Sequence, residues 1–123
     1  MKDVMLLSLI AMAKSEEPVE HDVTLIVSGF LVSGFIVSYE NYVKHHSTLA
    51  TVDAIITELR ETSVPEGDEP LDDSPNYIHL RDAQYFVPGN EPIPGNTGVF
   101  VRIPLESVHG FTFGKLQYEV KDA

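Results

Sequence analysis

No cysteine occurs among the 123 residues of this chain, so disulfides, thiolate metal sites and cysteine nucleophiles are all excluded. That composition suits a reducing compartment, and the cytoplasm is the expected location. Basic residues are also scarce. Eight Lys and Arg stand against 19 Asp and Glu, giving a formal charge of -11. Such an excess opposes binding to RNA, DNA or an anionic membrane through phosphate neutralisation. It keeps a protein soluble and by itself names no partner.

Long uninterrupted apolar runs are missing too. The segment "MKDVMLLSLIAMAKSEE" has a lysine, an apolar stretch and an Ala11-Met12-Ala13 triplet, but it is short for a signal peptide and carries Asp3 at its start. The better reading is an N-terminal helix over 1–15, capped near Asp3, with Leu6, Leu7, Leu9 and Ile10 laid against a core. Residues 23–39 carry no charge, yet the stretch falls short of a membrane span and includes Thr24, Ser28, Ser33, Ser38, Gly29 and Gly34. Membrane insertion is not expected.

What this second stretch does contain is a repeat. Val27-Ser28-Gly29-Phe30 returns as Val32-Ser33-Gly34-Phe35, and Val37-Ser38 begins a third copy. A spacing of five matches neither a strand nor a helix. It is resolved by a hairpin. Val23, Leu25 and Val27 alternate in a first strand, Ser28-Gly29-Phe30 turn, and Val32, Gly34 and Ile36 alternate with Ser33, Phe35 and Val37 in a second. Gly29 suits the positive φ of a tight turn, and Gly34 inside a strand marks a bend or a close backbone approach.

The pattern then becomes helical. From Glu40 to about Arg60, Leu49, Val52, Ile56 and Leu59 recur at spacings of three and four, with Tyr42 and Val43 in an earlier turn, and one face is expected to pack. His45 and His46 are neighbours on that helix. Adjacent helical positions diverge by about 100°, so they read as helix-end histidines rather than a metal pair. Residues 63–75 combine prolines with acids and predict a mobile, solvated loop without the spacing of a calcium site.

Strands resume in "NYIHLRDAQYFV". After a turn-rich segment, Val99, Val101, Ile103 and Leu105 alternate up to Pro104, which suits an edge. In the last run Phe111 and Phe113 share one parity and Leu116, Tyr118 and Val120 the other, predicting a bulge at Gly114. The expectation is one domain over 1–123, mainly β with helices: a small, strongly bent five-stranded barrel of the Sm-like or SH3-like kind, with an N-terminal helix and a helical insertion after strand 2.

No catalytic constellation stands out. His79 with Arg81 and Asp82, and His109 beside Gly110, lack a paired base and nucleophile and read as structural or solvent-facing groups. No catalytic, cofactor or metal residues are assigned, and the chain reads as a non-enzyme without a cofactor.

Two resemblances follow from the motifs. The hairpin resembles the first motif of Sm-like barrels, with Gly29, Val32, Gly34, Ile36 and Glu40 at the matching places. The uridine pocket of that family uses a Met-Asn pair and an Arg-Gly, where this chain has Val43-Lys44 and Arg102-Ile103, so RNA is disfavoured as a ligand. The second resemblance covers roughly 23–116 and rests on three ordered blocks, "VSGFLVSGFIVSYENYV", "YIHLRDAQYF" and "VRIPLESVHGFTFGKL". In these Gly29, Ser33-Gly34, Ser38, Tyr42, Ile78-His79-Leu80, Val108, Gly110, Phe111, Gly114 and Lys115 are similar to the gas-vesicle accessory protein U (GvpU) family. That resemblance implies an accessory role in forming or clustering gas vesicles, with protein as the expected partner; self-association into a homo-oligomer is expected through strand edges, as in Sm-like barrels. The alternative is an Sm-like oligomeric module for a small ligand or nucleic acid.

Overall fold

The computed structural model describes residues 3–62, 76–95 and 97–116. Helix α1 spans Val4–Ala13, and its first turn is held by Asp3, whose carboxylate accepts from the amides of Met5 and Leu6. Its inner face buries Leu6, Leu9, Ile10 and Ala13. Strands β1 (Asp22–Val27) and β2 (Phe30–Val37) form the expected hairpin. Ser28 and Gly29 make the turn, both with positive φ (49° and 84°), and Phe30 already belongs to the second strand.

Helix α2 (Tyr39–Lys44) and helix α3 (Ser47–Thr62) follow, where the sequence suggests one long helical run. The break falls at the histidine pair, for a local reason. The His45 ring stacks on Phe100 with centroids 4.0 Å apart, and His46 Nδ1 accepts from the Thr48 amide at the start of α3. Both are helix-end histidines. The packed face expected of this region is present in part: Val43 of α2 is buried and Tyr42, Leu49 and Ile56 are half-buried, whereas Val52, Ile55 and Leu59 are exposed.

Strands β3 (Tyr77–Phe86), β4 (Val99–Pro104) and β5 (Val108–Phe113) complete one antiparallel sheet in the order β4-β3-β2-β1-β5, with a short 3-10 turn at Leu105–Ser107. β4 is an edge, as Pro104 suggests. The expected barrel is not closed. β4 and β5 are the two edges, each six residues long, and among the described residues no ladder joins them. The irregularities lie at Ile26/Val27 against β5, and opposite Gly34, where β3 shifts register around Asp82.

Strand alternation gives the sheet two different faces. Val23, Leu25, Val32, Ile36, Ile78 and Leu80 build the main core with α1. On the other face α2 covers the sheet, where Val37, Val43 and His79 are buried. Where a bulge is expected, Gly114, with φ 98°, instead ends β5 at a bend; Tyr118 and Val120, expected on the strand beyond it, fall on 117–123, outside the described residues. The acidic segment 63–75 also lies outside them. Among the described residues no helix is long and apolar enough to cross a membrane.

Candidate functional site

Two places collect most of the residues that the sequence singles out, and a third lies apart from them. The first is a strap. After β5 the chain crosses the face of the sheet opposite α1, tied by buried hydroxyls. Thr24 Oγ1 and Ser33 Oγ lie 2.7 Å apart, Thr24 also donates to the Gly114 carbonyl at 2.7 Å, and Ser33 accepts from the Leu116 amide at 2.9 Å. Thr24 and Ser33 are buried among strand residues, so each hydroxyl requires the partner it finds.

Between Gly114 and Leu116, Lys115 reaches across to Asp82 in β3. The hydrogen bond from Lys115, reinforced by its charge, holds the Asp82 carboxyl below its ordinary value of 3.8. Asp82 itself has φ 52° and accepts from the Gly98 amide at 3.2 Å. A Cβ on Gly98 would overlap Asp82, so the chain before β4 packs directly on this bulge. Next to it, the Arg81 guanidinium lies 4.1 Å from the centre of the Phe35 ring and is paired with Glu20 at 2.8 Å. Two of the chain's few cations are thereby committed to internal partners.

The second place lies under α2. His79, 2% exposed, has its ring 5.4 Å from Tyr39 and 4.7 Å from Tyr42. Tyr39 donates to Asp53 of α3 at 2.7 Å, which ties the two helices together. Ser38 caps α2 through the Asn41 amide. Thus Ser38, Tyr42 and His79, drawn from two of the sequence blocks, form one packed group. The Arg102 guanidinium rests 3.9 Å from the Tyr77 ring.

The third place is one that sequence reasoning missed. A groove of about 730 Å³ runs between the first turn of α1 and the start of β5. Val4 and Leu6 line one wall and Leu105 and Val108 the other, with Asp3, Glu106 and His109 beside them. His109 is exposed and has no hydroxyl nucleophile among the residues that line the groove with it, whereas His79, Arg81 and Asp82 are drawn apart to Tyr42, Phe35 and Lys115. The one local signal for the groove in the sequence is Gly110 in β5, which leaves that position without a side chain beside Val108. Among the described residues no group of three or more His, Cys, Asp or Glu is placed to hold a metal ion.

Comparison with known proteins adds one match. A family model described as "Gas vesicle protein GvpU-like" matches residues 3–116 of the chain. No curated protein and no solved structure matches it.

Proposed function

This chain belongs to the GvpU-like family of gas vesicle proteins, and from that premise we propose that it is a non-enzymatic cytoplasmic accessory protein acting on gas-vesicle assembly or clustering through protein contacts. The family match over nearly the whole described chain carries the reading. The commitments of the polar side chains support it. Arg81 is engaged with Glu20 and Phe35, and Lys115 with Asp82, in a frame that fixes the sheet and its strap.

The strand order and the glycine opposite the bulge are consistent with an opened relative of the Sm-like barrel, whose edge strands, unpaired among the described residues, suit protein contacts, the β4 edge for self-association. The charge of -11 and the placement of Arg102 over Tyr77 argue against RNA as the partner. Gas vesicles are buoyant, which supplies a direct test. Purified protein mixed with isolated gas vesicles should rise with them on centrifugation, and co-expression with a gas-vesicle gene set should alter vesicle number or grouping in electron micrographs. Protein left wholly in the lower phase, together with unchanged micrographs, would count against the reading. Light scattering tests self-association, which a strict monomer would exclude.

A further inference from the structure

β1 divides its hydrogen bonds between two neighbours by parity. The Ile36 amide donates to the His21 carbonyl at 2.9 Å, and the Gly114 amide donates to the Asp22 carbonyl at 2.8 Å. With the observed registers, odd-numbered residues of β1 therefore bond to β2 and even-numbered ones to β5. Carried into β5, the alternation turns Gly110, Thr112 and Gly114 toward β1 and leaves the N–H and C=O groups of Phe111 and Phe113 pointing outward. Among the described residues β5 pairs with β1 alone.

This free edge is bordered by apolar surface. Phe111 and Phe113 stand opposite Leu25 and Val23 in the register, on the face that α1 covers. Phe113, at the far end of β5, is 57% exposed, and Val4, in the groove beside the start of β5, is 74% exposed. The outer side of α1 adds exposed apolar surface at Met5 and Met12, interrupted by Ser8. At one end of the edge stand two carboxylates, Asp3 and Glu106.

The geometry points to the β5 edge and its groove as a docking site for an extended segment of another protein, apolar at every second position and basic at the end beside Asp3 and Glu106. The segment adds as a sixth strand. Its backbone meets the outward groups of Phe111 and Phe113, its apolar side chains lie against those rings and the groove walls made by Val4 and Val108, and its cation meets the two acids. Main-chain pairing supplies affinity, while the groove and the acids select the sequence. This inference rests on the reading of the protein as one that works through protein contacts, and it specifies the surface and the chemistry of the partner.

The probe is a fluorescein-labelled peptide about six residues long, the usual length of a strand, alternating valine and serine with a lysine at each end. Its counterpart carries glutamates at the ends. The lysine peptide should bind more tightly, and amide exchange at Phe111 and Phe113 should slow when it does. Glu106→Lys, on an exposed side chain, should weaken the lysine peptide by about threefold or more and favour the glutamate one. Phe113→Pro removes an outward N–H without touching the ladder to β1 and should abolish most binding, whereas Phe113→Ala keeps the N–H and should lose less. Unaltered exchange at both amides, or equal binding of the two peptides by wild type and Glu106→Lys, would overturn the inference. So would concentration-dependent protection of the same amides without peptide, because the occupant would then be a second copy. The peptide assay contains no gas vesicle. Its failure with flotation intact removes the strand site, and failure of flotation with peptide binding intact removes the gas-vesicle reading.

Discussion

The ammonium of Lys115 is bonded to the carboxylate of Asp82, 33 residues away in sequence and on the far side of two intervening strands. The bond joins the bend that ends β5 to the bulge in β3. Its backbone setting makes it testable with few variants, because Asp82 sits at φ 52°, a conformation that Asn shares readily and Ala does not.

Asp82→Asn should therefore remove the charge while keeping the bulge and an oxygen for the Gly98 amide. Because Asp82 is about half exposed, the loss should be no more than about 1 kcal/mol. Asp82→Ala should cost about 1 kcal/mol more through backbone strain. The folded carboxyl titrates below 3.8, so its stabilisation is present above that value and fades as the pH falls through the lower folded pKa. Denaturant melts of wild type and Asp82→Asn should consequently converge in acid; a gap that persists there would place the effect elsewhere.

Gly34→Val should destabilise by about 1 to 3 kcal/mol through overpacking. A Cβ at this position meets the Arg81 carbonyl oxygen at 3.0 Å and Leu80 Cβ at 3.1 Å. The bend arises from this contact and not from a special φ of the glycine, since the positive φ is carried by Asp82 across the ladder. Equal thermal melts for the variant and wild type would refute the close approach.

Ser33→Ala deprives both Thr24 and the Leu116 amide of a buried partner, and the expected cost is about 1 to 3 kcal/mol. Thr24→Ser keeps the hydroxyl and should cost less. Limited proteolysis is the sharper readout: the segment after Gly114 should become accessible in Ser33→Ala before the sheet unfolds.

Leu59→Asn in α3 should change stability by no more than about 0.5 kcal/mol, because the side chain is already 59% exposed. Ile36→Ala, at a fully buried site in the sheet, should cost about 2 to 5 kcal/mol. A large loss for Leu59→Asn would mean that the apolar stripe of α3 is covered in solution.

What the sequence discloses is governed by how local each feature is. The turn at Ser28-Gly29, the cap at Asp3 and the inward residues of α1 follow from contacts within a few residues, and all are found. Gly34 signals a close approach, but not what approaches, because Arg81 and Ala83 lie across the ladder. The stripe Leu49, Val52, Ile56, Leu59 correctly announces a helix but only half of it is covered, Leu49 and Ile56 being half-buried and Val52 and Leu59 exposed, since periodicity reports that a face exists and not how far it is covered. The strap is hidden for the same reason. Thr24 and Ser33 look like ordinary polar interruptions of a strand until Gly114 and Leu116 arrive from the other end of the chain.

That distance has a consequence for synthesis. β1 sits inside the sheet, but its outer neighbour comes from a point 90 residues further along, where Gly114 accepts from Thr24. A growing chain can pair β1 with β2, and later β2 with β3, while the even-numbered backbone groups of β1 still await β5. Throughout that interval an apolar strand shows an open side to every neighbouring nascent chain. Variants that slow the arrival or docking of β5 should betray themselves first as poor yield and inclusion bodies at high expression, even where the purified protein melts normally.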